Sequence, residues 1–297
     1  MIILYDHFFL ELVLFKFSVL KYNMDYGFKY SRVRGLRMKK IIGLFLLLMM
    51  SGMLLAGCSS TATKSPEKKK IVIGLDDSFP PMGFRDEKNN IVGFDIDMAK
   101  ATAKKLNMEV EFKPIDWGSK EAELNGKRVD ALWNGMNITE KRKENMLFSE
   151  PYMDGKQVIF LMKGSTVKSL DDLKGKLVGI QSASTADEII EANQQMKTSF
   201  KEVKKYADCI SAFMDLESGR IDAVITDEIF GRYFMSKTPD KFIVLDKAVG
   251  EVGILGIGFR KDDKELRDKV QKVLDEMKKD GTSAQISKQW FGADLIK

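Results

Sequence analysis

The sequence predicts an α/β fold of two similar lobes built on mostly parallel sheets, and three observations carry that expectation. From residue 71 onward, short β-rich runs alternate with amphipathic helical stretches, the order that yields parallel strands covered by helices. The 297 residues exceed what one ordinary core needs. An imperfect repeat then divides them. Leu124-Asn125-Gly126-Lys127-Arg128-Val129-Asp130-Ala131 resembles Leu216-Glu217-Ser218-Gly219-Arg220-Ile221-Asp222-Ala223, and Lys70-Ile71-Val72-Ile73-Gly74 matches Lys176-Leu177-Val178-Gly179-Ile180 in the same order. Each longer segment reads as a helix end with a glycine stop, leading into a buried strand.

Taken in order, the β-rich runs predict strands over 71–75, 110–113, 129–133, 158–162, 177–180, 203–206, 221–225, 242–245 and 254–260. The amphipathic stretches between them predict helices over 96–106, 186–195, 209–217, 229–236, 264–279 and 284–290. In open α/β sheets, ligands bind beyond the carboxyl ends of the strands. Those ends fall at Asp76 and residues 134–137 in the first lobe, and at residues 181–185 and Thr226-Asp227 in the second.

The start of the chain has a different character. Residues 38–58 read as two lysines, an apolar run over 41–56 and then Leu55-Ala56-Gly57-Cys58. The run is short for a spanning helix, which needs about 20 residues. This is the pattern of a secretory signal peptide over 38–57 whose cleavage box exposes Cys58 for lipidation. Residues 1–37 hold a second apolar stretch broken by Asp6, Glu11 and Lys16 that fits no signal, so Met38 is the expected initiator. The polar segment 58–70 reads as a flexible tether, long enough to hold a folded domain clear of a membrane.

Charge removes whole classes of function. The formal net charge of +5 resides in the first 57 residues, and from Cys58 onward 40 basic residues face 40 acidic ones. Nucleic-acid binders carry a basic excess, so no nucleic acid is expected as partner. The one histidine, His7, precedes Cys58, which leaves no imidazole for a triad, a proton shuttle or a zinc site in the folded part. Two cysteines, Cys58 and Cys209, make neither a disulfide scaffold nor a metal motif. No GxxxxGK[ST] or GxGxxG occurs, so nucleotide cofactors are unsupported and none is expected.

The remaining chemistry is that of gripping a small polar molecule. Asn137 and Glu140 are spaced as a capping box, and Arg142 in the first helical turn can grip a carboxylate with two parallel bonds. Asp227 ends a buried strand of the other lobe and can hold an ammonium group; its alternative is an ordinary helix cap. Phe79 and Trp117 follow strand ends of the first lobe and either flank a ligand or pack in the core.

Several motifs together resemble the family 3 extracellular solute-binding proteins, the amino-acid receptors of ATP-binding-cassette importers. They are Ile91-Val92-Gly93-Phe94-Asp95-Ile96-Asp97, the run over 137–142, Phe148-Ser149-Glu150-Pro151-Tyr152, the run over 170–176, Gly219-Arg220-Ile221-Asp222-Ala223 and Gln289-Trp290-Phe291-Gly292. The resemblance implies a type II periplasmic-binding fold whose two crossover strands form a hinge at 152–156 and 251–255. Lobe one would comprise 71–151 and 256–297, and lobe two 157–250. It further implies that Arg142, with the backbone at Gly135 and Asn137 and with Ser184 and Thr185, binds a ligand α-carboxylate. Asp227 would take the α-ammonium, while Asp76, Phe79, Trp117, Asn134 and Gln181 line the side-chain pocket. Trp133-Asn134-Gly135 departs from the small residues and serines common there, so the ligand stays open among glutamine, cystine and basic amino acids. Glu251 either reaches a cationic side chain or is solvated.

The expected protein is a monomeric, lipid-anchored receptor on the outer face of the membrane that delivers an amino acid to a permease. Two rivals share the scaffold: an enzyme of the dehydratase or lytic transglycosylase kind, and an adhesin-type lipoprotein. The absence of histidine from residue 58 onward, and of a distinctive acid/base pair, weighs against the enzyme.

Overall fold

The structure, a computed structural model, describes residues 69–297. The upstream segment, the signal peptide, Cys58 and nearly all of the tether lie outside the described residues. Among the described residues no helix is long and apolar enough to cross a membrane.

The chain enters along β1 (Lys70–Leu75) and forms a small antiparallel sheet from β2 (Ser78–Phe79), β3 (Gly83–Arg85) and β4 (Ile91–Val92). There follow α1 (Phe94–Lys105), β5 (Glu109–Pro114), α2 (Lys120–Asn125), β6 (Ala131–Leu132), α3 (Glu140–Asn145) and β7 (Met146–Phe148). It then crosses along β8 (Met153–Gly155) into β9 (Gln157–Met162), β10 (Leu177–Gln181), α4 (Thr185–Ala192), α5 (Gln194–Ser199) and β11 (Glu202–Tyr206). The second lobe ends with α6 (Cys209–Glu217), β12 (Ala223–Asp227), α7 (Glu228–Lys237) and β13 (Phe242–Leu245). The return runs along β14 (Gly253–Leu255), antiparallel to β8, into β15 (Gly258–Arg260), α8 (Lys264–Lys279) and α9 (Thr282–Phe291).

Each lobe holds one five-stranded sheet, ordered β5-β1-β6-β15-β7 and β11-β10-β12-β9-β13. In both, four strands run one way and the fourth in the order runs against them. The reversed strand is in each case the one that arrives from the other lobe, β15 after β14 and β9 after β8. The two crossings therefore impose a matching reversal on otherwise parallel sheets.

Pairing makes the repeat physical and shifts it by one residue. Ile73 and Gly74 face Ala131 and Leu132, while Val178 and Gly179 face Ala223 and Val224. Gly74 thus corresponds to Gly179, one step from the register that the strand openings suggest. Space explains the glycines. A Cβ at Gly74 would stand 3.1 Å from the Val129 side chain, and one at Gly179 would stand 2.5 Å from that of Ile221. The aspartates that follow also correspond: Asp130 accepts the Val72 N–H at 2.9 Å, and Asp222 that of Leu177 at 2.8 Å. The expected glycine stop of the first lobe is displaced as well, because Gly126 has φ −75° while Lys127, matching Gly219, takes the left-handed conformation.

Other boundaries move for local reasons. Helix 186–195 breaks at Asn193, which ends α4 and whose Oδ1 accepts the Met196 N–H to start α5. The run over 254–260 divides into β14, which crosses between lobes, and β15, which joins the first sheet. α1 and α8 pack apolar faces that include Phe94, Met98, Ala99, Val270 and Met277, all buried. Each large side chain so buried stabilises the fold by about 1.5–3 kcal/mol.

Candidate functional site

The carboxyl ends of both sheets open on one cleft of about 300 Å³. It is lined by Asp76, Phe79, Trp117, Asn134, Gly135, Met136 and Arg142 from the first lobe and by Gln181, Ser184, Thr185 and Asp227 from the second. These are the residues singled out by the sequence, with Met136 added and Asn137 buried close by. Glu251 is exposed and lies outside the cleft lining.

Arg142 comes from α3, whose N-cap is Thr139 and not Asn137: the Thr139 hydroxyl accepts the Arg142 N–H at 3.2 Å. The Asn137–Glu140 capping box is therefore absent. The guanidinium is buried, with Nε donating to Glu188 Oε1 at 2.8 Å, Nη1 to the Asn137 carbonyl at 3.0 Å and Nη2 to the Ala183 carbonyl at 3.3 Å. Glu188 and Ala183 belong to the second lobe, so the arginine spans the cleft.

Asp227 ends β12, and its carboxylate makes no capping bond to α7. Oδ1 instead accepts Asn137 Nδ2 at 3.1 Å, a second link between lobes. Burial raises this carboxyl above its usual range, with the Asn137 donor opposing the shift. The crossover strands make room for the asparagine. Gly155 and Gly253 pair across β8 and β14, and a Cβ at either would stand within 2.4 or 2.5 Å of Asn137 Oδ1.

A third link joins equivalent positions of the repeat, each two residues past its strand glycine. Gln181 Nε2 donates to Asp76 Oδ2 at 2.7 Å and to the Ala207 carbonyl at 3.0 Å. Asp76 Oδ1 accepts the Ser78 N–H at 2.9 Å and its hydroxyl at 2.5 Å. Burial pushes the Asp76 carboxyl up, and the Ser78 and Gln181 donors work against it. Behind Gln181 the buried Cys209 thiol lies 3.6 Å from Oε1 and 3.2 Å from the Thr226 hydroxyl, and burial raises that thiol far above its ordinary range. Asn134 Oδ1 accepts the Asp76 N–H at 3.2 Å, and its buried Nδ2 has no hydrogen-bond partner among the described residues.

The aromatics divide between two environments. Phe79 stacks on Phe230 of the second lobe, with ring centroids 5.0 Å apart. Trp117 faces the cleft with the Lys120 ammonium 5.2 Å from its ring centroid. Ser184 is the N-cap of α4 and accepts the Asp187 N–H at 3.2 Å, and Thr185 is the first residue of that helix.

Gly135 needs its left-handed φ of +61°, and its N–H donates to the buried Asp95 Oδ2 at 2.6 Å. The same Asp95 oxygen accepts the Tyr152 hydroxyl at 3.0 Å. Asp95 Oδ1 has no partner among the described residues, and burial raises this carboxyl to about 7.

Sequence reasoning missed Glu188, Lys120 and the role of Asp95. Glu188 reads as an acidic residue complementing a helix N-terminus, and Lys120 as a solvated helix cation. Asp95 sits in a quoted motif, but only the fold brings it to Gly135 and Tyr152. Among the described residues there is no group of three or more His, Cys, Asp or Glu suited to a metal.

Known proteins resemble this chain in sequence and fold. The family of bacterial extracellular solute-binding proteins, family 3, matches residues 71–293. The chain is 34% identical over 236 residues to the L-cystine-binding protein TcyJ of Escherichia coli K12, covering 79% of this chain and 87% of the relative. It is 34% identical over 256 residues to the arginine-binding extracellular protein ArtP of Bacillus subtilis 168, covering 86% and 98%. A substrate-binding protein of an ABC uptake transporter from Streptococcus pneumoniae, solved with bound histidine, superposes with a TM-score of 0.74 at 35% identity, covering 77% of this chain and 94% of that one. The chain belongs to the bacterial extracellular solute-binding proteins, family 3, and has their two-lobe, type II periplasmic-binding fold.

Proposed function

We propose that this protein captures a free polar L-amino acid outside the cytoplasmic membrane, held there by a lipid on Cys58, and presents it to the permease of an ATP-binding-cassette importer by closing its lobes. One observation carries the reading: Arg142 of the first lobe and Asp227 of the second line the same cleft, as a zwitterion requires. Arg142, with Ser184 and Thr185, would hold the α-carboxylate, while Asp227, steadied by Asn137, would hold the α-ammonium. The Gly135 carbonyl side remains to the ligand, its N–H being taken by Asp95.

The side chain would lie along Phe79 and Trp117 toward Asp76, Asn134 and Gln181. Asp76 is an acceptor, which favours a side chain that donates: a basic group, the amide of glutamine or the distal ammonium of cystine. The names of the relatives, which bind cystine and arginine, are consistent with such a ligand. Each lobe offers only part of the contacts, so the ligand would prefer the closed form and shift the equilibrium toward it, with the hinge at 152–156 and 251–255. Lobe one would then be 71–151 with 256–297, and lobe two 157–250.

A thermal-shift screen of the twenty amino acids and cystine tests the reading. One or a few polar members should raise the melting temperature with saturable dependence on concentration. No shift with any of them would overturn the proposal. Metabolic lipid labelling that is lost in Cys58→Ser tests the anchor separately.

A further inference from the structure

Arg142 has five N–H groups, and three are engaged within the protein, by Glu188, Asn137 and Ala183. Glu188 is fixed by a further bond from Thr139 Oγ1 at 2.9 Å. Beside them Lys120, 3% exposed, donates to the same Ala183 carbonyl at 2.8 Å and to the Trp117 carbonyl at 3.2 Å. The acceptor is itself held: Ala183 has φ +53° and donates its N–H to Asp187 Oδ2 at 2.8 Å.

Charge bookkeeping at this end of the cleft is uneven. Arg142 and Glu188 form an ion pair with side chains 2% and 15% exposed. Lys120 is buried and has no carboxylate within 4.0 Å among the described residues. An unpaired buried cation is costly unless an anion comes to it. The charged groups around it are Glu121 of its own helix, Arg142 and Lys141 of α3, and Glu188 of α4. Burial first, and then the Arg142 charge, pushes the Lys120 ammonium down to about 8.

Resting on the amino-acid reading above, we propose that Glu188 and Lys120 are positioning residues of the carboxylate subsite: Glu188 immobilises Arg142 through its Nε–H, and Lys120 restores the positive charge that Glu188 cancels. With Nε–H occupied, a grip that uses Nε is closed to the ligand. One N–H on each terminal nitrogen is left for its carboxylate. Glu188 also stands where it competes with that carboxylate for the guanidinium, so its charge weakens the ligand while its geometry organises the site.

Opposite signs of effect separate this from ordinary packing. L-Arginine, L-glutamine and L-cystine are titrated calorimetrically into the wild-type protein, Lys120→Met and Glu188→Gln. Lys120→Met should weaken the bound amino acid about tenfold at neutral pH, because the remaining ion pair has no net charge. Glu188→Gln keeps an acceptor for Nε–H and removes the competing charge, so it should tighten binding about threefold. The wild-type affinity should also fall as pH rises through about 8, where Lys120 loses its proton. That limb should persist in Glu188→Gln and be absent in Lys120→Met, whereas deprotonation of the ligand ammonium affects all three alike. Should Lys120→Met not fold, the sign of the Glu188→Gln effect still decides. Weakening in both variants, or affinities within twofold of wild type, would overturn the positioning roles alone. Failure of all three amino acids to bind wild-type protein would overturn the amino-acid reading, and these roles with it.

Discussion

Replacing Arg142 by methionine keeps an unbranched stem of similar bulk and removes the guanidinium. Two separate losses follow. Hydrogen bonds to a charged group contribute about 1.5–3 kcal/mol each, so losing two bonds to a ligand carboxylate predicts binding weakened at least about a hundredfold. The second loss is internal: Glu188 gives up its 2.8 Å partner and the Asn137 and Ala183 carbonyls lose a donor. Removing one member of a buried pair costs about 3–5 kcal/mol. On the proposed closure that penalty would belong mainly to the closed form, since Glu188 and Ala183 lie across the cleft from Arg142 and would regain water if the lobes separated. The ligand-free protein should therefore melt only a few degrees lower, about 2–4 °C for each kcal/mol at this size. Calorimetry at neutral pH, with the amino acid found by thermal shift, and thermal unfolding followed by circular dichroism measure both losses. Affinity within threefold of wild type would refute the carboxylate grip, and complete unfolding of the variant would refute the assignment of the penalty to the closed form.

Asp227→Asn should weaken binding about tenfold or more, because an amide replaces the counter-ion of the ammonium. In wild-type protein burial raises this carboxyl, so affinity should be full at neutral pH and decline as pH falls through the raised value, an acid limb that calorimetry should find missing in the asparagine variant. Asp95 titrates near 7 in the fold, so the native state binds its proton more tightly than the unfolded chain does, and its contribution to stability declines as pH rises from about 4 to 7. Asp95→Asn should remove up to about 4 kcal/mol of that decline, read from denaturant unfolding at several pH values. Small-angle scattering should give a smaller radius of gyration with saturating amino acid than without, and a profile unchanged in protein independently shown to be open would refute closure.

What the sequence carried was set by local rules, and what it missed was set by contacts between lobes. Asp130 and Asp222 are legible because each does the same local work in its own repeat, whereas the match of Gly74 to Gly179 emerges only from the strand pairing. Helices 209–217 and 264–279 have the observed bounds because their apolar periodicity and end signals agree. Strand candidates over 129–133 and 221–225 overran or stopped short, since apolar character alone does not say where ladder pairing begins. Arg142 and Asp227 stood out as charges at strand and helix ends. Glu188 and Lys120 did not, because each looks like a solvated helix residue until the facing lobe brings Arg142 and Ala183 against it. That the Gly135 N–H is taken by Asp95, forty residues earlier, was not legible, because only the fold brings the two together.

Calorimetric titration with the amino acid selected by thermal shift, against its α-methyl ester and its Nα-acetyl derivative, tests the opposed grip of Arg142 and Asp227 most directly. The ester removes the anion and the acetyl group removes the cation while the side chain stays the same. Tight binding of the free amino acid, with both derivatives weaker by at least about a hundredfold, is the predicted result, each loss matching about 3 kcal/mol of charge-assisted bonding. Comparable affinity for all three would contradict a site built to hold both ends of a zwitterion.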